Sequence, residues 1–205
     1  MGKRIFIYLA GLAITALGIA LIVHSSIGAG PWDAVAVGLK NHFGLTIGIW
    51  SIIAQAFLVT VTSLIEKARP QLESIIVIIV RSWFLDFWYY FVLSDILFAY
   101  SLETQIATFA AGLAAVGAGI GIYIEAKFPK SPVDALMIAV STRYDWSIRS
   151  SRLLIEWSGV AVGFLLGGPV GIGTIVIALS LGRIIQMSNT QVKKVMMTPK
   201  IEASS

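Results

Sequence analysis

Two short strings carry the residues best able to do chemistry: Gly30-Pro31-Trp32-Asp33-Ala34 and Ser131-Pro132-Val133-Asp134-Ala135. Each reads as the start of a helix. Gly30 or Ser131 stands at the N-cap, a proline at the first helical position and an aspartate at the third. There a carboxylate can accept free backbone N–H groups and meets the positive end of the helix dipole. The same carboxylate can take up a proton or a cation, so capping and ion binding are compatible roles. The apolar residues that follow extend each helix for about ten to twelve residues, too short to cross a bilayer and too apolar for an ordinary loop. Half-helices dipping into the membrane from opposite faces are one expectation, and helices lying at the interface are the other. In the first arrangement two helix N-termini and their aspartates approach each other near the midplane, which suits an ion or polar substrate.

A second set of ionisable residues sits inside apolar runs. A charge near the bilayer centre costs about 2.5–3.5 kcal/mol on insertion scales, so each needs a reason to be there. Arg152 and Glu156 lie one turn apart on one helical face and can neutralise each other, although Arg before Glu is the weaker order for an exposed pair. Arg81 and Asp86 are five positions apart, about 140° around a helix, so each must find its partner on another helix. Structural pairing and a substrate or proton pathway are both open readings for these four residues. For His24 and Glu125 at span ends, solvation at the interface suffices.

These residues must be positioned by a membrane domain. Of 205 residues, 57% are hydrophobic and 13% charged, and mean hydropathy is +0.86, against about 25% charged in soluble domains. The apolar residues gather in runs that suit six spans: Ile5 to His24, Leu45 to Ile65, Ser74 to about Leu97, Gln105 to Ile124, about Ser150 to Leu166, and Ile172 to Met187. Gly167-Gly168-Pro169-Val170-Gly171 makes a tight turn between the last two. The N-terminal run has no convincing cleavage site and reads as a retained first span. With the N-terminus in the cytoplasm, twelve basic residues fall in inside segments and Lys40 alone in an outside loop. That bias favours six spans with both termini cytoplasmic, in the plasma membrane.

The chain also repeats itself. A shift of 101 residues lays Ala10-Gly11-Leu12-Ala13 on Ala111-Gly112-Leu113-Ala114, Gly18-Ile19 on Gly119-Ile120, and Pro31-x-Asp33-Ala34 on Pro132-x-Asp134-Ala135. From Ala10 to Ala34, 9 of 25 positions are identical. Ser51 and Gln55 are the counterparts of Arg152 and Glu156, so both halves turn a polar stripe inward. Three spans per half is an odd number, and the halves must therefore face opposite ways, as in many secondary transporters. The expected fold is a single all-α membrane domain of about six transmembrane helices in two inverted three-helix repeats. Repeat one covers about 5–100 and repeat two about 105–190, each with a short Pro-x-Asp helix after its first span. Residues 191–205 are expected to be a mobile cytoplasmic tail.

The Gly28-x-Gly30-Pro31-Trp32-Asp33 string after a Gly-rich first span, together with Gly171-Ile172-Gly173-Thr174 and Gly182, resembles the YitT/YczE family of bacterial membrane proteins. The likeness covers nearly the whole chain. It implies a multi-span membrane protein and, as a function, an exporter. The family pattern after Gly182 ends in an acid where this chain has Gln186, whereas Ser74 to Asp86 in the first half keeps the acid without the glycines.

Several function classes drop out. There is no cysteine for disulfides, thiol chemistry or Cys-based metal sites. His24 and His42 form no metal-ligand pattern, no nucleophile–base set emerges, and no nucleotide motif could drive a pump. Neither a cofactor nor an enzymatic activity is expected. The net charge of +4 lies in topological anchors rather than a nucleic-acid surface. Gly11, Gly18, Gly112, Gly117, Gly119 and Gly121 suit close helix packing. The aromatic run from Trp83 to Phe91 suits an interfacial belt, with an aromatic wall for a substrate as the alternative. What remains is a secondary transporter or exporter of a small molecule or ion. The alternative is a non-transporting scaffold or accessory factor for a membrane-bound biosynthetic or secretory complex. The binding candidates are Asp33, Asp134, Pro31, Trp32, Pro132, Ser131, Arg152, Glu156, Gln55, Arg81 and Asp86. Expected partners are the lipid bilayer, an unidentified small molecule or ion and, as an open option, further copies of the chain.

Overall fold

The structure, a computed structural model, describes residues 2–70, 72–96, 100–124 and 131–197. Lys127, Lys130 and Lys200, on which part of the charge argument rests, lie outside the described residues, as do Glu125, Leu97 and residues 198–205 of the expected tail. Among the described residues eight α-helices follow in order: α1 Gly2–His24, α2 Pro31–Phe43, α3 Ile47–Glu66, α4 Leu72–Asp86, α5 Leu102–Ile124, α6 Pro132–Tyr144, α7 Ile148–Leu165 and α8 Ile172–Met197. A π-helical turn, Phe87–Val92, continues α4. No strand occurs among the described residues.

Five of these helices are long and apolar enough to cross a membrane: α1, α3, α4 with its π turn, α5 and α8. The sixth expected span, α7, does not qualify on those grounds, because Arg149, Arg152 and Glu156 fall within its 18 residues. The element order is nevertheless the same twice over. Pro31 and Pro132 open the short helices 101 residues apart, and Ile47 and Ile148 open the next ones at the same offset. Their caps correspond as well: Thr46 accepts from the N–H of Ile49, and Ser147 from that of Ser150.

The centre of the fold is the crossing of α1 and α5. A Cβ added at Gly18 would lie 2.6 Å from the Gly112 carbonyl, and one at Gly11 would lie 2.8 Å from that of Gly119. The two helices are therefore antiparallel and in backbone contact, which larger side chains forbid. The two contacts exchange with one another under the 101-residue shift. Around this pair α4 packs on α1 and α8 on α5, while α2 lies against α7 and α3 against α6.

Two boundaries differ from expectation. The third span ends in the π turn at Val92, where the N–H of Leu93 reaches back to the Trp88 carbonyl. The aromatic run divides there: Trp83 and Phe91 are 77% and 78% exposed, whereas Tyr89 stacks on His24 at 4.3 Å and Trp88 donates to the Ala13 carbonyl. His24 is thus a packed group rather than merely a solvated span end. The last helix does not stop at Met187 but runs to Met197, so residues 191–197 are helical rather than tail. The Asn189 side chain donates to the Gly121 carbonyl and ties this extension to the end of α5.

Candidate functional site

α2 lies alongside the second half of α7. Gly159 faces Pro31 and Trp32, Gly163 faces Ala34 and Val35, and Gly38 faces Leu166, so the two helices ascend together. Pro31 therefore starts well inside the bundle and the helix runs outward, ending with His42 beside Gly167. α6 packs on α3, where Val133, Leu136 and Val140 share one apolar cluster with Leu58 and Val61 of α3 and Ile155 of α7. Both short helices bury one apolar face and bring their N-termini to the interior.

The loop that delivers α2 to its place is pinned by backbone. The N–H of Ala29 donates to the Pro169 carbonyl, and that of Gly173 to the Ile27 carbonyl. Gly28 has a φ of +148°, and a Cβ there would lie 2.8 Å from the Thr174 backbone nitrogen. Only glycine combines that backbone with that approach. The two strings that carry the family resemblance, far apart in sequence, thus meet in space.

Both N-termini open onto one cavity of about 330 Å³. It is lined by Pro31, Trp32, Asp33, Gln55, Arg81, Ser131, Asp134, Arg152 and Glu156, with an apolar remainder from α1, α5 and α8. Nine of the eleven expected site residues are brought together there. Pro132 is fully buried behind Ser131 as the first residue of its helix. Asp86 is elsewhere: its carboxylate accepts from Thr46 Oγ1 at 2.5 Å and from the Gly48 backbone N–H at 2.7 Å. It fastens the end of α4 to the start of α3, so the expected partner on another helix is found, but outside the cavity. Gln186 is exposed on α8 and absent from the cavity lining.

The two aspartates differ. Asp134 accepts from Ser131 Oγ at 2.9 Å and lies 3.8 Å from Arg152. The cap of α6 is made by Ser131 itself, which accepts from the Asp134 N–H. Asp33 makes no hydrogen bond and no ion pair among the described residues. The expected carboxylate-to-backbone cap thus fails in both copies. In α6 the serine hydroxyl takes that place. In α2 the Asp33 carboxylate folds over Gly30, 2.7 Å from where a Cβ would be, and faces the cavity.

Arg152 also lies 3.6 Å from Glu156, so one guanidinium is shared by two carboxylates. In the first half Gln55 donates to Ser51 Oγ at 3.1 Å, and Arg81 Nη2 donates to the same oxygen at 3.0 Å. Arg81 Nε is buried without an acceptor. Two guanidinium groups therefore face three carboxylates, an arrangement that disfavours anions and suits a cation, a proton or a ligand carrying both signs. Among the described residues no three His, Asp or Glu side chains come together to hold a metal ion. Sequence reasoning missed Thr15, Tyr123 and Gly182 as lining residues. Gly182 is the repeat counterpart of Arg81, and a side chain there would meet nothing within 4 Å. The repeat offset applied to Arg81 would have located it.

Comparison with known proteins agrees with the helical membrane architecture. A family described as "Family of unknown function (DUF6198)" matches residues 2–190. The chain is 36% identical to "Uncharacterized membrane protein YczE" of Bacillus subtilis (strain 168) over 90% of its own length and 84% of the relative's. It is 31% identical to "Uncharacterized protein YyaS" of the same organism, over 82% and 83% of the two lengths. A Haemophilus influenzae protein is 32% identical, over 90% and 82%. No solved structure matches. With the match across nearly all of its helices, the chain belongs to the DUF6198 family and is a YczE-family membrane protein.

Proposed function

We propose that this protein is a secondary transporter, exporting or exchanging a small molecule or ion through a site shared by two inverted halves. The observation that carries this reading is one cavity lined from both Pro-x-Asp helix starts and by Gln55, Arg81, Arg152 and Glu156. A scaffold needs no such centre. Ionisable groups inside a membrane protein are costly and are retained where they face a cavity or pathway. The antiparallel, self-exchanging contacts of α1 and α5 support an inverted repeat with its axis in the membrane plane. Pro31 packed against Gly159, midway along α7, supports a re-entrant rather than interfacial α2, with α7 as the sixth span.

The test is gradient-driven flux in proteoliposomes, using compounds that raise the melting temperature of the purified protein and a pH dye inside the vesicles. Wild type is expected to move at least one stabilising compound when a proton or sodium gradient is imposed. No flux of any stabilising compound, under either gradient, would favour the scaffold reading.

A further inference from the structure

The unmatched groups of the cavity fall in one half of the molecule. Arg152 is occupied between Asp134 and Glu156. Across the cavity Asp33 has no hydrogen-bond partner among the described residues, and Arg81 spends one nitrogen on a serine hydroxyl while its Nε has no acceptor. Asp33 and Arg81 both line the cavity, yet they form no ion pair with each other. A carboxylate and a guanidinium that face one cavity without an ion pair between them are costly unless a ligand supplies the opposite charges.

The geometry points to a zwitterionic substrate of amino-acid type: an ammonium group held by Asp33, a carboxylate held by the free N–H groups of Arg81, and an apolar side group against Ile19, Leu113 and Ile177. Guanidinium is the group best matched to a carboxylate, because its parallel N–H donors can meet both oxygens. A simple amine leaves Arg81 unmatched. A simple carboxylate must enter beside three like charges. The cavity, about 330 Å³, is at the small end of ligand sites, which run roughly 300–1,000 Å³. That size admits a single amino acid.

This assignment deepens the transport reading and rests on it for its physiological meaning, but binding tests it separately. The purified full-length chain in detergent is examined by equilibrium dialysis and thermal shift with two probe sets. One set is leucine, 3-methylbutylamine and 4-methylpentanoate; the other is phenylalanine, phenethylamine and 3-phenylpropionate. At least one zwitterion is expected to bind saturably, and its amine-only and carboxylate-only analogues about tenfold or more weakly. Asp33→Asn and Arg81→Gln should each weaken the zwitterion by about tenfold or more while the melting temperature without ligand stays near wild type. Should Arg81→Gln fail to fold, Arg81→Lys keeps the charge and is expected to bind with reduced affinity, because it loses the two-pronged geometry. An amine that binds as tightly as its zwitterion, affinity indifferent to Arg81, or no binding by either set would overturn the assignment. Zwitterion binding without gradient-driven flux would instead leave the site standing and remove the transport reading.

Discussion

At the scale of single residues, Asp33 and Asp86 show how one side chain serves two ends. Asp86 satisfies a hydroxyl and a backbone N–H at the start of α3, and a Cβ at Gly48 would press on its carboxylate. Hydrogen bonds to a charged group contribute about 1.5–3 kcal/mol, so Asp86→Ala should lower stability by roughly that amount and Asp86→Asn by less. Flux per folded molecule should be unchanged, and melting curves beside proteoliposome assays check both halves of that expectation. Asp33 has no such partners among the described residues, and its uncompensated carboxylate is itself costly, so Asp33→Asn should not lower stability. It should still abolish coupled flux, because an amide cannot titrate or carry charge. Full flux in the Asp33→Asn protein would remove this residue from the coupling site. Asp33 and Asp134 were legible as a pair because proline and aspartate recur at one offset. The task of Asp86 was not, because it depends on Thr46 and Gly48, a contact between helices that no local pattern encodes.

At the scale of elements, most boundaries follow from chemistry readable in the chain. Proline opens α2 and α6, Thr46 and Ser147 cap α3 and α7, and Gly44 and Asp145, both at positive φ, end the short helices. The π turn and the length of α8 were not legible. The first lies where an aromatic run divides its rings between the bundle and its outer surface, and the second is accompanied by a side-chain bond from Asn189 to Gly121. Packing at the α1–α5 crossing gives a sharp contrast between two glycines. In Gly18→Ala the new Cβ would lie 2.6 Å from backbone atoms of Gly112 and Val116, and overpacking of this kind costs about 1–3 kcal/mol. Gly182→Ala meets no neighbour, and the helix propensity of alanine over glycine adds up to about 1 kcal/mol of stability. Thermal melts in one detergent should therefore move in opposite directions for the two variants. Equal shifts would deny that α1 and α5 are in backbone contact.

At the scale of the whole molecule, the halves match in element order and diverge in charge. Ser51, Gln55 and Arg81 of the first half stand where the second has Arg152, Glu156 and Gly182, so a nearly symmetric frame holds an asymmetric site. The frame depends on α7 crossing the bilayer, although its three charged residues keep it from reading as a span. α7 is expected to cross. Its two ends have different neighbours: Gly167, just past its C-terminus, faces His42, and the following turn exchanges backbone hydrogen bonds with residues 27 and 29. If α7 spans, Asp145 belongs with Lys67 in the cytoplasm, and Gly167 with Lys40 on the far side. The chain has no cysteine, so single cysteines at these four positions can be labelled without background. An impermeant maleimide applied to intact cells should modify Lys40→Cys and Gly167→Cys, while Lys67→Cys and Asp145→Cys should react only after the cells are opened. Gly167 has a φ of +63°, which strains any side chain there; if that variant fails to accumulate, His42→Cys reports the same surface. Labelling of Asp145→Cys and Gly167→Cys from the same side would make α7 a surface helix. The halves would then hold unequal numbers of spans, and an inverted repeat could not survive that result.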